Sequence, residues 1–169
     1  MYQGTLMVLT GKGADAAQTI TSGLTAWRSM GATITSLFLS SLALAQAKID
    51  RIDDAWRFIG EAMTAAETTK ERWYGAEIHR TAGEIALLSP DPDAAKAEAY
   101  FERALAIARA QQAKSWELRA AMSMARLWRD QGKRTDARDL LAPVYGWFTE
   151  GFDTLDLKEA KSLLEQLTA

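Results

Sequence analysis

Cysteine is absent from this chain of 169 residues, histidine occurs once and proline three times. Without thiols there is no disulfide, no thiolate metal site and no cysteine nucleophile. One histidine leaves almost no material for zinc binding or for base catalysis of the usual kind. Charge of one sign is also missing: 20 Lys and Arg stand against 22 Asp and Glu, scattered along the chain, for a net charge of −2. No row of cations is available to neutralise phosphates, so nucleic acid is not an expected partner. No window approaches the roughly 18 uninterrupted apolar residues that a membrane span needs. The first residues show neither a basic start nor a small-residue cleavage site, so a cytoplasmic location is expected, with no membrane partner. Together these absences argue against an enzyme, and no cofactor or metal is expected.

What is present is 48% hydrophobic and 25% charged, enough to bury a core. Alanine and leucine dominate, and apolar residues recur three and four apart, so the expected fold is all-α with about nine helices. Breaks are placed at Gly11 and Gly13, Gly31, Ile49 to Arg51, Thr68 to Lys70, Ser89 to Asp93, Gln112-Ala113, Gln131-Gly132 and Gly151 to Asp153. Asp91 is expected to cap a helix that begins at Pro92, and Asp50 with Asp53 and Asp153 with Asp156 to set carboxylates at two other helix starts. Pro143 lies in a helical run and should kink or end that helix near Arg138 to Asp139.

A four-residue pattern recurs: a small residue, an alanine 12 to 14 positions on, a bulky residue four later and a smaller one three beyond that. The sets are Gly4, Ala16, Ile20, Gly23; Ala43, Ala55, Ile59, Ala62; Gly83, Ala97, Phe101, Ala104; and Ala125, Ala137, Leu141, Val144. First positions are 39, 40 and 42 apart and second positions 39, 42 and 40 apart. Small residues at a crossing let two helices approach, while the bulky one fills the space toward the next pair. Four such hairpins could share a core that none can build alone.

The pattern resembles the tetratricopeptide repeat, including the turn Gln131-Gly132-Lys133 ahead of Ala137. It departs in its period of about 40 against 34, and in the first-helix aromatic, which appears only as Trp128 with Gln46 and Ala86 at its counterparts. The resemblance implies a right-handed superhelix of stacked hairpins, an α-solenoid. Its expected parts are a truncated hairpin 1–31, hairpins 32–68, 69–112 and 113–150, and a capping helix 153–168. From about residue 71 onward the chain also resembles the C-terminal tail of large bacterial signalling proteins. In these, a class III adenylate or guanylate cyclase domain, or another output domain, precedes an AAA-like ATPase module and a tetratricopeptide tail. The likeness is carried by Glu71-Arg72-Trp73-Tyr74 and by Trp147-Phe148-Thr149-Glu150-Gly151-Phe152. No cyclase or ATPase motif is present in the chain itself. Gly4 has only three residues before it where roughly two helical turns are expected, so further hairpins are expected upstream in a larger protein.

Candidate sites are few. Gly11-Lys12-Gly13 is no phosphate loop: Leu6 stands where a glycine is needed, no Ser or Thr follows the lysine, and the stretch occupies the place of Gly132-Lys133 in the last repeat. Glu77 and Glu84 lie two and five residues from His79, spacings that put neither on its helical face for a metal. Glu98 with Glu102 is an ordinary i, i+4 pair. Projection of the first-helix face gives Leu37, Ser40, Leu44, Glu77, Arg80, Glu84, Arg119, Met122, Arg126 and Arg129. Within it Arg80, Glu84, Arg119, Met122, Arg126 and Arg129 form the expected concave partner-binding surface, suited to an acidic peptide or domain face. The tryptophans Trp27, Trp56, Trp73, Trp116, Trp128 and Trp147 read mainly as core. The cluster Tyr145, Trp147, Phe148 and Phe152 is a second candidate interface unless the last helix covers it. The expected function is a non-catalytic scaffold for a protein segment or a neighbouring domain, with a homodimer through an exposed terminal repeat also open. The alternative is a sensor with an effector pocket between hairpins.

Overall fold

The computed structural model describes residues 35–69 and 72–168, whose regular structure is helical, with no strand among them. The helices are α1 (Thr35–Lys48), α2 (Ile52–Thr69), α3 (Gly75–Leu88), α4 (Ala94–Ala110), α5 (Lys114–Asp130), α6 (Arg134–Gly146) and α7 (Leu155–Thr168), with a short 3-10 turn, Arg72–Tyr74, before α3. The expectations placed on Gly4, Ala16, Ile20, Gly23, the Gly11-Lys12-Gly13 turn and Trp27 lie outside the described residues.

Packing is densest within the pairs α1 with α2, α3 with α4 and α5 with α6. The first helices α1, α3, α5 and α7 also stand side by side in sequence order. All twelve pattern positions from Ala43 to Val144 are buried. At the second crossing, a Cβ built on Gly83 would fall 2.7 Å from Cδ1 and 2.9 Å from Cζ of Phe101. The largest of the bulky residues thus faces the smallest of the small ones. One core cluster gathers Phe38, Leu42, Ile59, Ile78 and Ile85. A second runs from Ala86 and Phe101 through Leu118 and Leu141 to Leu163. α3 is the seam between them, and Trp56 packs on both.

Three turns share one geometry. At the ends of α1, α4 and α5, the residues Asp50, Gln112 and Gly132 adopt φ of 61°, 54° and 81°. Each next residue donates its N–H to a carbonyl five back: Arg51 to Gln46, Ala113 to Ala108 and Lys133 to Trp128. Its own carbonyl then accepts the first bond of the following helix, from Ala55, Glu117 and Ala137. This is the glycine-type helix stop, made twice with a non-glycine residue. Gln112→Gly should therefore raise stability by about 0.5 kcal/mol and Gly132→Ala lower it by about 1 kcal/mol in urea unfolding. A loss for Gln112→Gly would show that the turn is held by the glutamine side chain instead.

The helix starts correct three expectations. Asp93, not Asp91, caps α4: its carboxylate accepts from the Lys96 N–H at 2.9 Å, while its own N–H donates to the Ala86 carbonyl at 3.1 Å. That bond to the end of α3 holds the loop one residue pair further along, so Pro92 precedes the helix. Asp50 is taken by the left-handed stop, and the chain turns into α2 at Arg51. α7 starts from Thr154, whose carbonyl accepts from Lys158 and whose hydroxyl donates to the Gly151 carbonyl at 2.7 Å, leaving Asp153 outside. α6 also runs through Pro143 to Gly146 instead of stopping near Arg138 to Asp139. Both Pro143 and Asp139 are exposed, so the carbonyl that loses its helical partner faces solvent.

Candidate functional site

The face projected from the first helices is in part interior and in part half-buried. α3 and α5 lie side by side, and Arg80 and Arg119 meet at Glu77 across that contact, whereas Arg126 and Arg129 reach α7. Ser40, Glu77, Arg80 and Met122 are buried. Arg80 grips Glu77 with two bonds, Nη2 to Oε1 at 2.6 Å and Nε to Oε2 at 2.9 Å. Its Nη1 reaches Glu84 Oε1 at 3.1 Å, and the Ser123 hydroxyl of α5 donates to the same oxygen at 2.7 Å. Arg119 closes the group from α5, 2.8 Å from Glu77 Oε1.

Burial works to raise the Glu77 carboxyl, but the charge and hydrogen bonds of Arg80, followed by the charge of Arg119, outweigh it and hold the group below the ordinary value of 4.5. Burial likewise opposes the Arg80 charge, and Glu77 and then Glu84 reverse the effect. Burial, then the Glu77 charge, pushes the adjacent Tyr74 phenol up. The four charges of this group, two of each sign, are thus matched within the protein.

The outer arginines serve the last helix. Arg126 Nη2 lies 2.7 Å from Glu159 Oε2, and Arg129 Nη1 donates to Gln166 Oε1 at 2.8 Å. Arg134 of α6 also donates to the Gln166 main-chain carbonyl. These ties are at the surface, and the docking of α7 comes mainly from its buried Leu157, Ala160, Leu163 and Leu167.

The aromatic cluster divides. Tyr145 and Phe148 are half-buried against the core beneath α7. Trp147 remains 58% exposed, Phe152 47% and the neighbouring Leu155 61%. Ring contacts connect the two groups, Trp147 to Phe148 at 5.2 Å and Tyr145 to Phe152 at 5.9 Å. Lys114 lies 5.7 Å over the Trp147 ring. Of the other tryptophans, Trp56, Trp116 and Trp128 are half-buried and Trp73 is exposed. The Trp128 indole donates to Glu98 at 2.7 Å, which accounts for that carboxylate without a site.

Two features lay beyond the sequence reading. Glu117 is nearly buried between Arg109 Nε at 2.9 Å and Lys114 Nζ at 2.7 Å, tying α4 to α5. A groove also opens beside His79, between α2 and α4. The sequence signal was available only for the first, as an acid in the first turn of a helix with a basic residue three before it. Among the described residues, no group of three His, Asp or Glu side chains is placed to hold a metal ion, and no helix is long and apolar enough to cross a membrane. No family model matches the chain, and no curated protein matches it.

Proposed function

We propose that the chain is a non-catalytic interaction scaffold of the tetratricopeptide-like kind, a right-handed superhelix of hairpins with a period of about 40 residues. What supports the repeat is the burial of every described pattern position together with the row of first helices. What supports binding is the exposed end face: Trp147, Phe152 and Leu155 stay open to solvent although a helix packs directly beside them. Large aromatic side chains left exposed together are the usual anchors of a protein interface. The occupant is an apolar segment of a partner or of a neighbouring domain. Arg126 and Arg129 contribute by holding α7 in place behind that face.

The same reading makes this the regulatory C-terminal repeat region of a nucleotide cyclase or ATPase signalling protein in the cytoplasm. The resemblance at residues 71–74 and 147–152 supports it, and it requires further hairpins and an ATPase module to be encoded upstream.

A peptide library displayed against the chain tests the binding face. Selected peptides should carry apolar anchors, and Trp147→Ala with Phe152→Ala should weaken them at least about tenfold, or 1.4 kcal/mol. Equal binding to that double variant would sink the end-face assignment. If Arg126→Ala with Arg129→Ala abolished binding while α7 stayed helical, the arginine face would be the site instead.

A further inference from the structure

The second helices of the first two pairs, α2 and α4, both lean on α3 but meet each other chiefly through Trp56, which contacts Tyr100 and Lys96. Between them lies a hollow of about 630 Å³ floored by Met63, Ala66, Ile78 and Ile107. That volume suits a small organic molecule. A smaller hollow of about 260 Å³ adjoins it through the shared His79 and Arg103, and adds Lys96.

The polar groups are asymmetric. Nδ1 of His79 is sealed from solvent without a hydrogen-bond partner. A proton there would leave a buried donor unsatisfied, which favours the neutral ring with its proton on Nε2. Burial, followed by the Arg103 charge, lowers the His79 pKa in the same sense. Arg103 is exposed at the rim and forms no ion pair among the described residues. Glu67, near the end of α2, also lines the groove. The lining therefore combines an imidazole beside a guanidinium with apolar side chains and one acid.

We infer that this groove binds a small organic carboxylate with an apolar body, its carboxylate at Arg103 and His79 Nε2–H and its body over Met63, Ala66, Ile78 and Ile107. Arginine beside a second N–H donor matches the two oxygens of a carboxylate, and Lys96 adds to the favourable field.

His79 is the only histidine of the chain, so its ring signals need no assignment. The full chain is titrated with 4-phenylbutyrate while imidazole resonances are followed by NMR, and with 4-phenylbutan-1-ol as the neutral counterpart. The acid should shift the ring signals saturably, with the alcohol at least about tenfold weaker. Arg103→Ala should weaken the acid by a similar factor with unchanged circular dichroism, whereas Arg138→Ala on α6 should not. The inference fails if the ring signals stay fixed to about 10 mM acid, if the alcohol binds equally, if Arg103→Ala has no effect, or if Arg138→Ala matches it.

Discussion

Gly83→Ala is expected to lower unfolding stability by about 1–3 kcal/mol, although alanine is the better helix former by about 1 kcal/mol. The two effects oppose each other, and the crossing decides the sign. The new Cβ would fall 2.7 Å from Cδ1 and 2.9 Å from Cζ of Phe101, and that side chain is fully buried. A fully buried ring has little room to give, so α3 and α4 are expected to separate and release shared contacts. Phe101→Leu should make room. The double variant should therefore be more stable than the sum of the single losses implies, with a coupling above about 1 kcal/mol in urea unfolding. If Gly83→Ala proved as stable as the wild type, helix propensity would outweigh packing and the close crossing would be refuted.

Glu77→Ala should cost more, about 3–5 kcal/mol, because it leaves Arg80 and Arg119 without their shared carboxylate while Arg80 stays buried. A loss of that size is a large share of a domain's 5–15 kcal/mol and could unfold it. Glu77→Gln keeps the shape and one accepting oxygen, so it should lose less and remain measurable. Replacing Glu77 and Arg80 together by methionine should recover much of the loss, since no unpaired charge then remains buried at either position. The pH dependence has a fixed sign. The Glu77 carboxyl is held below 4.5 in the folded protein. Its contribution is complete above that ordinary value and disappears as pH falls through the lower, folded one. Thermal melting from neutral pH downward should show this acid loss in the wild type and a shallower one in Glu77→Gln. Identical acid limbs would mean that Glu77 is not the linked group.

The difference between what could be read in the chain and what could not follows from the range of the interactions. Helices and most breaks are local matters of periodicity and glycine. The repeat positions were legible because close crossings demand small residues wherever they occur, whichever neighbour lies opposite. Asp50 and Gln112 gave no sign of their left-handed conformation, since only Gly132 of the three turns carries the usual residue. Asp91 and Asp93 are equal candidates as caps until the bond from Asp93 to Ala86 selects one. Part of the arginine face turns inward for a tertiary reason. Helical spacing places Arg80 with Glu77 and Glu84 on one stripe of α3, but only the side-by-side row of α3 and α5 brings Arg119 to it and turns it inward. The groove at His79 depends in the same way on where α2 and α4 part. Trp147 and Phe152 were visible as a cluster, whereas their exposure depends on where α7 docks.

The central structural claim is that one close crossing is used in each of three helix pairs. It is tested most directly by the unfolding free energies of Ala43→Leu, Gly83→Leu and Ala125→Leu, measured beside Ala95→Leu on the exposed face of α4. A repeated crossing requires each of the three to lose about 1–3 kcal/mol or more while Ala95→Leu stays within about 0.5 kcal/mol of the wild type. If any one of the three is tolerated as well as Ala95→Leu, that pair is not built on the shared crossing and the repeat is contradicted.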